Sequence, residues 1–147
     1  MSGRRKQEAA DWYRQALHDL RAARWNAEGG FYNTACFLAQ QAAEKALKSI
    51  VYFQGLSRKK LLTHSVFELL RIASRAIPKL EDYEEEARLL DLHYIPSRYP
   101  NGLVSGFPHQ FYGKDTASRA ISAASKILEQ IRLFYDSRGF PANEEEF

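Results

Sequence analysis

Two adjacent glycines separate two long stretches that both have the periodicity of a helix. Before Gly29-Gly30, apolar residues recur every three or four positions over about residues 5–28, and after the glycines they do so over about residues 31–54. This spacing places apolar side chains on one face of an α-helix. Glycine commonly follows the last turn of a helix, and so short a link favours antiparallel neighbours. The first third of the chain therefore predicts a helical hairpin.

Three further helices are predicted downstream. Ser65 and Glu68 form the S-x-x-E pattern of a capping box, which predicts a helix from there to about Ile77. Apolar periodicity predicts another helix over about residues 81–92 and a last one over about residues 116–138.

The segment before the last helix has a different composition. Residues 93–114 include three prolines, three glycines and five aromatic residues, which excludes a long helix and predicts an aromatic loop packed on the helices. No alternation typical of strands is found. The chain thus predicts an all-α fold, a compact up-and-down antiparallel bundle of about five helices with a Pro/Gly/aromatic-rich loop before the last one. We expect one domain over residues 1–147, with a core over about 5–138 and a mobile acidic tail over 139–147.

Composition excludes several classes of protein. With 45% hydrophobic and 27% charged residues, the chain has the composition of a globular protein and lacks a run long enough to span a membrane. The charged start has no signal-peptide core and Cys36 is the single cysteine, so we expect a cytoplasmic protein. The four histidines are scattered, which predicts no metal site. Residues 1–80 carry a net charge of +8 and residues 81–147 one of −5, which suits mutual neutralisation, a self-complementary dimer or a polyanionic ligand.

Four segments, in order, resemble the HEPN family of nucleotide- and RNA-associated domains. They are Ala16 with Asp19-Leu20 and Ala23; Gly30-Phe31-Tyr32 with Gln41-Ala42-Ala43-Glu44-Lys45-Ala46-Leu47-Lys48; Thr63-His64-Ser65 with Leu69-Leu70; and Leu90-Asp91 with Tyr94-Ile95-Pro96-Ser97-Arg98-Tyr99-Pro100-Asn101. The resemblance implies a helical bundle that commonly forms a homodimer and associates with nucleotides or RNA. It implies ATP or GTP as a candidate ligand without a cofactor. It also implies a minimal nucleotidyltransferase as partner, or chaperone machinery, since a related domain ends the chaperone-like protein sacsin.

Catalytic members of the family are metal-independent ribonucleases with an arginine followed, four to six residues later, by a histidine. Arg88 and His93 fit that spacing here, and so do Arg58 and His64, although these lie in a different part of the chain. On a regular helix, positions i and i+5 are about 140° apart, so Arg88 and His93 converge only if the helix ends near Leu92. The polar residue that often follows the arginine in the family is absent here, and so is the tyrosine two residues after the histidine, where Ile95 stands. These departures favour a protein that is not an enzyme.

The turn around Arg98 is the preferred binding element. Arginine can hold a phosphate bidentately, and tyrosines can stack on a base. The candidate nucleotide-binding residues are Lys45, Tyr94, Arg98 and Tyr99. In the alternative interpretation, Arg98 makes an ion pair with Glu44 or Asp91, and the tyrosines only pack.

The other polar candidates have structural interpretations. Lys48 is expected to form an ordinary, solvated i,i+4 pair with Glu44, His64 to serve the turn between two helices, and Cys36 to be a small core residue. Three hypotheses follow for the whole chain. It is a nucleotide-binding homodimer, a metal-independent endoribonuclease of toxin type, or a pure dimerisation module.

Overall fold

The computed structural model describes residues 3–56 and 58–139, and within these ranges it is helical and has no strand. The helices are α1 (Gly3–Glu28), α2 (Tyr32–Phe53), α3 (Val66–Ala73), α4 (Glu84–Asp91), α5 (Pro108–Phe111) and α6 (Lys114–Ser137). The predicted all-α bundle is confirmed, with α5 as one additional turn. The helix predicted over 81–92 differs at its start, because Pro78–Tyr83 forms a 3₁₀ helix ahead of α4. The predicted mobile tail, apart from its first residue, lies outside the described residues.

The hairpin of α1 and α2 closes through the two glycines. Gly30 has a φ of 83°, a conformation that suits glycine because it has no Cβ. The amide of Phe31 donates to the carbonyl of Asn26 at 2.9 Å, which returns the chain directly into α2. The predicted antiparallel hairpin is thus confirmed.

Helix α2 lies at the centre of the bundle and packs against α1, α3 and α6. Its alanines Ala35, Ala39, Ala42, Ala43 and Ala46 are fully buried. Small side chains allow two helix axes to lie close together. More than half of the residues of α2 are buried, so this helix forms the centre of the core.

A buried polar contact joins three helices near the far end of the bundle. The Ser49 hydroxyl of α2 donates to the Ala9 carbonyl of α1 at 2.8 Å and also contacts the hydroxyl of Tyr135 in α6. The rings of Tyr13 and Tyr135 meet edge to face with centroids 5.1 Å apart. Burial raises the pKa of Tyr135. This end of the bundle is a sealed core.

Helix α3 is capped from two sides. The Ser65 hydroxyl accepts from the Glu68 amide at 3.1 Å, as the capping box predicts. The carboxylate of Asp91, the last residue of α4, accepts from the amides of Val66 at 2.6 Å and Phe67 at 3.2 Å and from the Ser65 hydroxyl at 3.0 Å. An anion at this position satisfies orphan donors and complements the helix dipole. Asp91 therefore fixes the turn that carries His64.

The loop between α4 and α6 is anchored near both of its ends. The buried rings of His93 and Tyr112 are joined by a hydrogen bond of 3.1 Å between His93 Nδ1 and the Tyr112 hydroxyl. The Ser97 hydroxyl donates to the His93 carbonyl, and Asn33 of α2 donates to the Ser97 carbonyl at 3.1 Å. These contacts hold residues 93–98 against α2.

The middle of the same loop is exposed. Val104, Phe107 and Phe111 are all exposed, as are Leu92 and Ile95 nearer its start. The prediction that this aromatic loop packs on the bundle is therefore correct for its two ends and wrong for its middle.

No helix within the described ranges combines the length and the apolar character that crossing a lipid bilayer requires.

Candidate functional site

Arg98 lies among three aromatic rings. Its guanidinium carbon is 4.2 Å from the ring centroid of Phe37, 4.6 Å from that of Tyr94 and 4.9 Å from that of Tyr99. Its Nε donates to the Tyr94 carbonyl at 2.9 Å. A guanidinium stacks well on aromatic faces because the ring quadrupole attracts the cation. We call these four residues, Phe37, Tyr94, Arg98 and Tyr99, the Arg98 site.

The arginine of this site has no carboxylate partner in the part of the chain that the structure describes. Glu44 contacts other groups, described below, and Asp91 caps α3. The alternative interpretation, in which Arg98 pairs with one of these two carboxylates, is therefore wrong. Because Nε and the rings hold the guanidinium, its terminal nitrogens keep their donors for a ligand.

His64 is brought to the edge of the Arg98 site. Its imidazole stacks on the ring of Tyr94, with centroids 4.7 Å apart and planes 17° from parallel. Its Nδ1 lies 3.3 Å from Oε1 of Glu44, and its side chain is 54% exposed. His64 holds the turn through its carbonyl, which accepts from Gln40 of α2 at 3.2 Å, while its side chain faces α2 and Tyr94. The Thr63-His64-Ser65 segment was the sequence signal for this residue, but only the fold shows which groups it meets.

A cluster of buried polar side chains on α2 contacts the imidazole of His64 through Glu44. Glu44 and Lys48 are both buried, with side chains 5% and 6% exposed, and Lys48 Nζ lies 3.1 Å from Glu44 Oε2. Gln40 donates to Glu44 at 3.2 Å, and the ammonium of Lys48 lies 5.6 Å from the ring centroid of Trp12. The predicted pair exists, but the prediction that it is solvated is wrong. Trp12 on α1 is one of the residues that lie beside the pair.

Lys45 makes its contacts on the side of α1. Its Nζ lies 2.6 Å from Oδ2 of the buried Asp19, and Gln15 donates to the other oxygen of that carboxylate at 2.8 Å. Lys45 also lines a groove of about 300 Å³ with Trp12 and Tyr52. Of the four predicted nucleotide-binding residues, the structure brings Tyr94, Arg98 and Tyr99 together. Lys45 joins α2 to α1 instead.

The predicted ribonuclease pair is divided between surface and interior. Arg88 is 62% exposed, with its guanidinium 4.5 Å from the ring centroid of Phe67 and 4.0 Å from Glu84. His93 is buried against Tyr112, and this burial lowers the pKa of its imidazole. Helix α4 ends at Asp91, which is the condition for Arg88 and His93 to converge. Within this chain the two side chains nevertheless lie in different places, one on the surface and one in the interior.

The buried cysteine has no role at the site. Cys36 is buried, as expected for a core residue, and burial raises the pKa of its thiol to about 12. Such a thiol is a poor nucleophile. Among the described residues, no group of three or more histidine, cysteine, aspartate or glutamate side chains could hold a metal ion.

A separate cleft of about 390 Å³ lies between α1 and α6. Its floor includes the core residues Tyr13, Leu20 and Leu128, and Arg21 and Arg24 lie at its rim. Arg24 donates to Ser125 across it at 3.0 Å. None of the Arg98 site lines this cleft, so the two are distinct surfaces.

Comparisons with known proteins agree with this architecture. The model of the HEPN domain matches residues 9–133. The candidate toxin MJ1304 of Methanocaldococcus jannaschii is 25% identical over 134 residues, which cover 82% of this chain and 84% of that protein.

Two solved structures are similar over most of the chain. TT1696 from Thermus thermophilus is 38% identical, with a TM-score of 0.80, and the match covers 86% of this chain and 98% of that one. ST0689, an archaeal HEPN homologue, is 38% identical, with a TM-score of 0.70 and coverage of 85% and 95%.

Proposed function

This chain belongs to the HEPN domain family, and we propose that it binds a nucleotide, with a phosphate on Arg98 and the base on Tyr99. One observation carries this proposal. The Arg98 guanidinium is held by Nε and by aromatic rings, and no carboxylate of the described residues neutralises it. A held guanidinium with donors to spare is suited to bidentate contact with a phosphate.

The two tyrosines differ in what they offer a ligand. Tyr99 is 48% exposed, so a base can stack on it. Tyr94 already packs against His64, Phe37 and the guanidinium, so its part is to position these groups. Lys45 is left out of the proposed contact set because Asp19 holds its ammonium.

A thermal-shift titration with ATP and GTP tests the proposal. A ligand at one hundred times its dissociation constant stabilises a fold by about 2.7 kcal/mol, which is several degrees for a chain of this size. We expect that shift in the wild type, a smaller one in Arg98→Lys, and none in Arg98→Ala. Arg88→Ala is the matched control, because it removes another aromatic-stacked arginine. An equal shift in wild type and Arg98→Ala would place the nucleotide elsewhere, and no shift with either nucleotide would end the proposal.

We also propose that the exposed apolar middle of the loop forms a homodimer interface. Val104, Phe107 and Phe111 are large apolar residues close together in sequence, and exposed apolar clusters of this kind mark interaction sites. Light scattering should give twice the chain mass for the wild type and the single mass for a Val104→Asp, Phe107→Asp double variant.

A nucleotidyltransferase or chaperone machinery as a further partner is part of the same proposal and rests on family membership alone.

A second candidate function is a metal-independent endoribonuclease of toxin type. The similarity to a candidate toxin favours it. Arg88 lies on the surface and His93 in the interior, so within this chain the two do not form a catalytic pair. A ribonuclease function of this chain therefore needs a different base.

A further inference from the structure

The cleft between α1 and α6 is closed at both of its ends. At one end the rings of Tyr13 and Tyr135 meet with centroids 5.1 Å apart, and at the other Arg24 donates to the Ser125 hydroxyl at 3.0 Å. Along the axis of α1, Tyr13 and Arg24 are separated by about 16 Å. The volume of the cleft, about 390 Å³, lies within the range of small-molecule sites. The cleft is therefore a bounded site and not an open groove.

The floor of the cleft is apolar. Tyr13, Leu17 and Leu20 follow one another on α1 at spacings that place them on one face of the helix, and Leu128 meets them from α6. Tyr13, Leu20 and Leu128 belong to the buried core, whereas Leu17 is only partly buried and lines the cleft with aliphatic surface. An aliphatic ligand that lies here removes this surface from water.

Two arginines at the rim of the cleft are not neutralised. Arg21 and Arg24 continue the same face of α1, are exposed, and have no carboxylate partner among the residues that the structure describes. The other arginine of the cleft, Arg132 of α6, donates to Glu129 at 2.9 Å and to Asp136 at 2.7 Å. The rim thus offers two guanidinium groups beside an apolar floor.

We propose that this cleft binds a small amphipathic carboxylate, an aliphatic chain that ends in one carboxylate group. The chain lies along Leu17 towards the end that Tyr13 closes. Arg21 and Arg24 hold the carboxylate, because its two oxygens match the fork of donors on a guanidinium.

The charges of the cleft favour one negative group over a polyanion. Glu129 lines the same cleft, and its hydrogen bond to Arg132 lowers the pKa of this carboxyl, so it carries a negative charge at neutral pH. A second anionic group on the ligand would be repelled by this charge, whereas a single carboxylate is balanced by Arg21 and Arg24. None of the Arg98 site lines the cleft, so the inference goes beyond the proposed function and does not depend on it.

Isothermal titration with decanoate, kept below the concentration at which it forms micelles, tests the site. We expect saturable binding of one decanoate per chain. Octanoate should bind about tenfold more weakly, because it buries two methylene groups fewer. Decanol has the same chain without a charge, and it should bind at least about tenfold more weakly because its hydrogen bonds to the arginines are no longer charge-assisted at both partners.

Variants of the rim separate recognition of the carboxylate from recognition of the chain. The double variant Arg21→Gln, Arg24→Gln should bind decanoate at least about tenfold more weakly and decanol within about twofold of the wild type. Both side chains are exposed, so the variant should fold like the wild type, which circular dichroism and the thermal midpoint check. The matched control is Arg119→Gln, Lys126→Gln, which removes two exposed cations of α6 outside the cleft and should bind decanoate like the wild type. Leu17→Gln should weaken decanoate and decanol by similar factors, because it changes only the apolar wall.

Each contrary outcome overturns the inference in a defined way. Equal affinity of the wild type for decanoate and decanol would mean that no charge is recognised. Undiminished decanoate binding in the double arginine variant would place the carboxylate on another surface, and loss of binding in Val104→Asp, Phe107→Asp alone would place the chain on the exposed loop. Absence of saturable decanoate binding would end the inference. Arg98→Ala should bind decanoate like the wild type while it loses the nucleotide, so a failure of this site is distinguishable from a failure of the proposed function.

Discussion

The cationic side chains of helix α2 and of the loop before α6 have opposite surroundings. Lys45 and Lys48 on α2 each lie against a buried carboxylate, Asp19 and Glu44 respectively. The first pair joins α2 to α1, and the second lies within α2. Arg98 in the loop is held among rings, with no carboxylate of the described residues to balance it. A buried charge needs a partner to be tolerated, whereas a half-buried arginine on aromatic faces keeps its charge for a ligand. The difference separates cations that build the fold from one that is available for binding.

The strongest test of this contrast is the Glu44–Lys48 pair. Glu44→Gln keeps the shape of the side chain but leaves the buried Lys48 without a counter-charge. Breaking a buried pair in this way costs about 3–5 kcal/mol, so the free energy of unfolding in urea should fall by that order. Asp82→Asn, which breaks the exposed Lys79–Asp82 pair, is the control and should leave the unfolding midpoint unchanged. If the two variants were equally stable, the distinction between structural and available cations would be lost.

The Arg98 side of the contrast is tested at Tyr99. We expect Tyr99→Ala to weaken nucleotide affinity by about 1–3 kcal/mol, because the exposed ring is the stacking surface. Tyr99→Phe should bind like the wild type, since a π-face is all that stacking requires. Isothermal titration of both variants gives the comparison. Equal affinity of Tyr99→Ala and wild type would mean that the base lies on another surface.

Much of the fold could be predicted from the sequence because its signals are local. The glycine pair, the capping box and the helical periodicity each act over a few residues, and the first and the last appear in the structure. Of the capping box only the Ser65 half appears, because the Ser65 amide donates to Thr63 and not to Glu68. The site could be predicted only in part. Arg98 and Tyr99 are adjacent in sequence, but Phe37 reaches Arg98 from α2, and His64 reaches Tyr94 from the turn before α3.

Charge pairing was the least predictable feature. Glu44 and Lys48 show the same i,i+4 spacing whether that face of α2 is solvated or covered, and the groups that cover it, such as Trp12 of α1 and His64, come from other parts of the chain. The pairing of Lys45 could not be predicted for the same reason, since Asp19 meets it from a different helix.

A smaller effect should come from Asp91, which holds the turn that carries His64. Asp91→Ala removes the acceptor for the Val66 and Phe67 amides and should lower stability by about 1–2 kcal/mol, the usual effect of losing a helix cap. Asp115→Ala, at an exposed position in the first turn of α6, is the control and should change stability much less. Chemical denaturation checks both. Loss of nucleotide affinity in Asp91→Ala at a temperature where it is folded would show that this cap also preorganises the Arg98 site.

The smallest effect concerns the anchor at the start of the loop. Burial lowers the pKa of His93 below its ordinary value of about 6.5, so the folded protein holds this imidazole neutral while the unfolded chain takes up a proton first. The stability due to His93 is therefore fully present above about pH 6.5 and is lost as the pH falls through the lowered pKa, with a slope of at most about 1.4 kcal/mol per pH unit. Unfolding free energies at about pH 7.5 and about pH 5.5, on either side of that ordinary value, should differ more in the wild type than in His93→Gln. Equal differences would show that the anchor is insensitive to protonation.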